Sequence, residues 1–214
     1  MHTPPITSVS PLVPGHIHVW QISLEADPTT LTAHRILLSD DERQRADRFA
    51  LPDLRRRFTV ARANLRQLLA TYIFQDPRDL QFIYGTTGKP ELLDQPCHFN
   101  LSHTDDLALI AIAPCGPDNA VGIDLEKIRP LDYQAVARPV LSELDQRALA
   151  QATPSAQADL FFQLWVRHEA RAKATGAGIA THSTLPVYDL DVGPSYRAAV
   201  ATAMKDVQIH LLNR

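Results

Sequence analysis

Cysteine is nearly absent: two residues, Cys97 and Cys115, in a chain of 214. They are too far apart for a C-x-x-C motif and too few for a zinc knuckle or a disulfide framework, so reduced thiols are the expectation. No apolar run approaches the ~20 residues of a membrane helix. The first residues lack the basic start and apolar stretch of a signal peptide. A basic excess is missing as well, and a net charge of −3 gives no support for nucleic-acid binding. No internal repeat is visible. What is present, 45% hydrophobic and 21% charged residues, describes an ordinary globular chain. Its length suits one large domain or two small lobes, expected in the cytoplasm.

Pro4, Pro5, Pro11 and Pro14 precede any periodic pattern, so residues 1–15 read as an extended arm. Residues 16–24 alternate as a strand, with His18, Trp20, Ile22 and Leu24 on one side. His16 and His18 have no third ligand nearby in sequence and read as strand-surface histidines. Ser39-Asp40-Asp41-Glu42 is a capping box opening a helix that carries Arg43, Arg45 and Arg48 and ends near Leu51-Pro52. A second helix starts at Asp53. Leu54, Phe58, Ala61, Leu65, Leu68 and Tyr72 form its buried stripe, and Arg55, Arg56, Arg57, Arg62 and Arg66 take other faces. A solvated surface is the plain reading of most of these arginines. Even so, a cationic cluster in an acidic chain is where phosphates or an acidic partner would be drawn.

Residues 80–84 read as a short strand, and Gly85-Thr86-Thr87-Gly88 as a turn that leaves Lys89 free to reach a ligand. Two more strands are expected at 98–101 and 107–113, joined by a turn at 103–106. Ser102 beside His103 is no hydrolase pair, because neighbours on a strand face opposite ways, and no G-x-S-x-G elbow is present.

Gly122-Ile123-Asp124-Leu125-Glu126 alternates as a strand. Asp124 and Glu126 share a face, about 6.7 Å apart along the chain, while Ile123 and Leu125 enter the core. Residues 129–138 read as a loop into a short helix, and Ser142 with Asp145 caps another. Pro154-Ser155 starts a long helix ended by Gly176 and Gly178. Along it Trp165, Glu169 and Lys173 fall at i, i+4 and i+8, on one side; Phe161, Leu164, His168 and Ala172 join Trp165 in the apolar stripe. His168-Glu169 is not a zinc-protease H-E-x-x-H, because position 172 is Ala. Three carboxylates and a lysine could hold a magnesium ion and a phosphate group. Short alternating runs at 186–191, 196–201 and 207–212 complete an α+β protein with helices packed on antiparallel strands.

Gly88-Lys89-Pro90, Phe99-Asn100-Leu101-Ser102-His103, Gly122-Ile123-Asp124-Leu125-Glu126 and Trp165-x-x-His168-Glu169-x-x-x-Lys173 stand in the order seen in phosphopantetheinyl transferases. Over about residues 57–176 the chain resembles the longer, two-lobed type acting on carrier proteins of peptide and polyketide synthases. The resemblance implies two similar lobes related by a pseudo-two-fold axis, with the active site in the cleft between them. A junction near Cys115-Gly116-Pro117 divides the chain into lobes 16–116 and 117–214. It further implies a monomer that transfers the phosphopantetheine arm of coenzyme A to a serine of an apo carrier protein.

Magnesium would be held by Asp124, Glu126 and Glu169. The base would be Glu169 or a metal-bound hydroxide, and Lys173 would neutralise phosphate or protonate the leaving group. Arg45, Arg62, Lys89, Ser102, His103 and Lys173 would contact coenzyme A, His103 near its ribose phosphate. The chain departs from the family at His168, where a lysine is usual. Two rival readings follow: a non-catalytic homologue that binds coenzyme A or carriers, and a magnesium-dependent pyrophosphate hydrolase.

Overall fold

The computed structural model describes residues 9–85, 88–178 and 183–214. Thr86 and Thr87 of the expected turn, and the first eight residues of the expected arm, lie outside these. Among the described residues the chain runs β1 (His16–Ser23), α1 (Pro28–Leu37), α2 (Asp40–Asp47), α3 (Pro52–Ile73), β2 (Phe82–Tyr84), β3 (Pro90–Leu92), β4 (Cys97–Thr104) and β5 (Leu107–Pro114). It continues through β6 (Val121–Lys127), α4 (Tyr133–Ala137), α5 (Glu143–Gln151), α6 (Pro154–Thr175), β7 (Val187–Leu190), β8 (Tyr196–Thr202) and β9 (Gln208–Asn213). The mixed α+β class read from the patterning is the class observed. No helix among the described residues is long and apolar enough to cross a membrane.

A four-stranded sheet in the order β4-β5-β1-β9 forms a wall between two cores. Alternation on β1 sends Trp20, Ile22 and Leu24 into the core shared with Leu65, Leu68 and Leu69 of α3. Ile17 and Val19, on the opposite face, join Ile123, Leu125 and Val200. A strand buried on both faces carries apolar residues at successive positions, which is why β5 reads Leu-Ala-Leu-Ile-Ala-Ile-Ala. The second sheet has the order β6-β8-β7 and carries α6. Val166, Ala170 and Ala174 of that helix meet Ala199 and Ala201 of β8. These small side chains let the helix lie close, and Gly122 sets the limit. A Cβ there would stand 2.1 Å from the Ala170 carbonyl oxygen and 2.3 Å from the Ala174 nitrogen.

Several expectations change. The final strand β9, placed by sequence in the second half, pairs in parallel with β1, His210 opposite His18, and so closes the first sheet. Helix α1 has no counterpart in the periodicity, although its start is signalled by Asp27, whose carboxylate accepts from Thr30 N at 2.9 Å, and by Pro28 at N1. Strand β4 runs on to Thr104, leaving a two-residue turn in which Asp105 is left-handed (φ 47°) and Asp106 is tied to Arg56 and Arg57. Leu54 is exposed rather than part of the α3 stripe, whereas Arg66 is buried. His18 is also buried, its Nδ1 2.6 Å from the Tyr72 hydroxyl, and His210 stacks on His16. His18 is therefore no strand-surface histidine, while His16 is half-buried and pairs with His210 on the neighbouring strand.

Candidate active site

The edge strands β4 and β6 of the two sheets lie side by side, joined by side chains rather than by a backbone ladder. Asn100 Oδ1 accepts from the Ile123 amide at 2.8 Å, and Ser102 Oγ donates to Asp124 Oδ1 at 2.9 Å. Asn100 and Ser102 are two apart on β4 and therefore face the seam together. Helix α6, brought close by Gly122, adds the third wall. Its Lys173 Nζ donates to Asp124 Oδ1 at 2.6 Å and to Ser102 Oγ at 3.2 Å.

Asp124 is buried, and its second oxygen, Oδ2, has no hydrogen-bond partner among the described residues. Glu126, two residues on, accepts from Arg129 at 2.8 Å. Glu169, half-buried on α6, has its carboxyl pushed above the ordinary range. Burial is the main cause, followed by the charge of Asp124; Lys173 opposes the shift and Glu126 adds to it. Among the described residues no three His, Cys, Asp or Glu side chains converge closely enough to hold a metal ion. Positive charge reaches Asp124 and Glu126 from Lys173 and Arg129 instead. The donor chemistry nonetheless suits a hard divalent cation: all donors are carboxylate oxygens, one is buried without a partner among the described residues, and a third carboxylate is destabilised as an anion first by burial and then by the other two.

Two adjoining cavities open here, sharing Gly88, Pro90, Asn100 and Leu101 as a common wall. The first, of about 290 Å³, is also bounded by Lys89, Glu169 and Lys173. The second, of about 190 Å³, is bounded by Arg45, Arg62, Tyr84 and His103. Arg45 lies over the Phe58 ring and Arg62 over the Phe82 ring, their guanidinium carbons 5.3 and 4.3 Å from the centroids. The His103 imidazole is open to solvent on one side, yet its pKa is lowered by the protein packed around it and then by Lys173 and Arg57.

The structure thus gathers Glu169, Lys173 and Lys89 at one cavity and Arg45, Arg62 and His103 at the other, with Ser102 and Asp124 in the seam. Glu126 is drawn toward Arg129. Lys89 is not free as its turn suggests: its ammonium donates to the carbonyls of Lys173 at 2.8 Å and Val121 at 3.1 Å. Burial lowers its pKa against the pull of Glu91. Two of its three N–H groups are thereby committed to stitching the loop onto β6 and α6. His168 is buried. In the sequence Asn100 and Gly122 stand out only as parts of motifs. The signal for Gly122 is an isolated glycine inside a strand, which marks close backbone approach.

A sequence profile described as the 4'-phosphopantetheinyl transferase superfamily matches residues 120–211. The 4'-phosphopantetheinyl transferase HetI of Nostoc sp. (strain PCC 7120) is 35% identical over 197 residues, spanning 90% of this chain and 81% of the relative. The putative 4'-phosphopantetheinyl transferase slr0495 of Synechocystis sp. (strain PCC 6803) is 34% identical over 158 residues, 72% of this chain and 63% of the relative. The 4'-phosphopantetheinyl transferase psf-1 of Bacillus pumilus is 32% identical over 144 residues, 67% of this chain and 60% of the relative.

Proposed function

We propose, from the fact that this chain belongs to the 4'-phosphopantetheinyl transferase superfamily, that it transfers the phosphopantetheine arm of coenzyme A to a serine of an apo carrier protein. The observation that carries the reading is the under-satisfied cluster of Asp124, Glu169 and Lys173 beside two joined cavities lined with cations. The cleft between the two sheets is the coenzyme site. Supporting two lobes, a 22-residue helix packs against each sheet, α3 on the first and α6 on the second. Strand β9 is the exception that crosses back.

In this reading Arg45, Arg62 and His103 receive the phosphorylated ribose, and Lys89 and Lys173 flank the pyrophosphate. The serine oxygen of the carrier bonds to the phosphorus next to pantetheine. The bond from that phosphorus to the bridging oxygen breaks, and adenosine bisphosphate leaves with the electron pair. Glu169 takes the serine proton, since the burial and neighbouring charges that raise its pKa make it a stronger base than an ordinary carboxylate. Lys173, already directed into the cluster by Asp124 and Ser102, neutralises the charge that grows on the departing oxygen. Asp124, Glu126 and Glu169 are the residues that would hold magnesium, whose contribution when bound is Lewis-acid relief of charge on the pyrophosphate.

The test is direct. Purified protein, coenzyme A, magnesium and an apo carrier should give a carrier heavier by one phosphopantetheine group, and chelating the metal should stop the gain. An unchanged carrier mass, with coenzyme A hydrolysed, would instead favour a pyrophosphate hydrolase.

A further inference from the structure

Arg62 reaches the second cavity from α3, and the way it is held has a consequence for the coenzyme. Its Nε donates to Glu42 Oε1 and its Nη2 to the Tyr84 hydroxyl. Glu42 comes from α2 and Tyr84 from β2, so the guanidinium is gripped at two points by elements that do not belong to its own helix. The plane lies over the Phe82 ring, which fixes its tilt.

Glu42 is itself buried and held through both oxygens. Its side chain is 2% exposed, its Oε2 accepts from the Ser39 amide at 3.0 Å as the second half of the capping box, and the same oxygen accepts from Arg66 Nε at 2.6 Å. One carboxylate therefore serves two guanidinium groups, and the trio carries a net single positive charge. That excess belongs to the cavity end. Arg66 is 2% exposed and spends its Nη1 on the carbonyls of Pro77 and Leu80 at 2.8 and 3.1 Å, facing inward. Arg62 alone of the two borders the cavity, together with Arg45 and His103. Two of its five N–H donors are taken by Glu42 and Tyr84, in a geometry that leaves the planar fork oriented rather than loose.

We propose that Glu42 and Tyr84 are positioning residues that clamp Arg62 so that it recognises the ribose phosphate of coenzyme A, without themselves entering the chemistry. The inference rests on the transferase reading for the identity of the ligand. A free arginine would have to lose side-chain entropy on binding; a clamped one has lost it already, and the gain appears as affinity. Recognition then depends on the clamp, while the phosphoryl transfer at Glu169 and Lys173 does not.

Calorimetric binding of coenzyme A and of dephospho-coenzyme A, read without turnover, tests the clamp. Arg62→Ala should weaken coenzyme A binding about tenfold or more, the scale of one charge-assisted hydrogen bond, and dephospho-coenzyme A much less. Glu42→Gln should weaken coenzyme A by about fivefold and Tyr84→Phe by about two- to threefold, again sparing the dephospho form, since each removes one hold on a charged donor. Neither should add to the loss in the Arg62→Ala background. With an apo carrier, the loss in both variants should appear in the KM for coenzyme A.

Tyr84 is exposed, so its phenylalanine variant folds even if Glu42→Gln does not. The clamp is overturned if Tyr84→Phe binds both coenzymes as wild type does while Arg62→Ala does not. Losses that add to Arg62→Ala, or that strike both coenzymes alike, overturn it too. Arg62→Ala that binds coenzyme A normally removes Arg62, and with it the clamp. A wild type that binds coenzyme A but transfers nothing overturns the transferase reading while the binding results still judge the clamp.

Discussion

Glu42 and Asp124 are both buried carboxylates paired with a cation on a 22-residue helix, Glu42 with Arg62 and Arg66 of α3, Asp124 with Lys173 of α6. Their surroundings differ. At Glu42 both oxygens are matched, and although burial opposes its charge, Arg66 and Arg62 outweigh it and hold the carboxyl below its ordinary range. At Asp124 one oxygen takes Lys173 and Ser102 while the other is buried without a partner among the described residues, and next to it Glu169 is pushed upward. A saturated cluster has nothing left to offer a ligand. An under-satisfied one holds free energy that a cation can release, which is how sites of chemistry differ from ionic staples.

The contrast is broken most severely at Gly122. Any side chain there meets the backbone of Ala170 and Ala174, which cannot swing aside as a flexible side chain would. Gly122→Ala should destabilise the protein by about 3 kcal/mol or more, the upper end of overpacking, or prevent folding, as seen in a denaturant midpoint or lost near-ultraviolet dichroism.

Next in size is the difference between the two carboxylates. Glu42→Ala strands the buried Arg66 cation, a loss of about 3–5 kcal/mol. Asp124→Asn should lose about 1 kcal/mol or less, because Lys173 is partly exposed and recovers water. Parallel urea titrations compare them. Equal losses would mean that Asp124 is as structural as Glu42.

Glu169→Gln sharpens the point with the opposite sign. Its folded pKa lies above the 4.5 of a free glutamate, so ionising it costs stability that is absent near pH 4 and grows as pH rises through the folded value. In the absence of magnesium the glutamine variant should melt higher than wild type at pH 8 and alike at pH 4. A lower melting temperature at pH 8 would contradict the shift.

The smallest effect belongs to Arg129→Gln. Its ion pair with Glu126 has a half-exposed guanidinium, so the folded state should change by no more than about 0.5 kcal/mol. A larger shift in the urea midpoint would mean that Glu126 is locked to Arg129.

The family was legible in four short motifs, two of which couple to a period: two on β6, which puts Asp124 and Glu126 on one face, and four on α6, which stacks Glu169 and Lys173. What escaped was everything set by long-range return of the chain. Arg66 reads as a surface residue until Glu42, 24 residues earlier, closes on it. Lys89 reads as free until carbonyls 32 and 84 residues later arrive. The terminal strand β9 carries no mark that it will leave its neighbours for β1, since a parallel partner is chosen by the assembled sheet and not by local pattern. Helix α1 shows the reverse case, legible in Asp27-Pro28 but masked by its threonines, which suit a strand as well.

What we propose to separate the two clusters is that Asp124 reacts while Glu42 only holds. The most direct measurement is the mass of an apo carrier after incubation with saturating coenzyme A, magnesium and either wild-type protein or Asp124→Asn, with folding of each checked by its melting curve. The expected result is a carrier heavier by one phosphopantetheine group with wild type, and an unmodified carrier with an Asp124→Asn protein that melts within a few degrees of wild type. Modification at the wild-type rate by Asp124→Asn would contradict the claim.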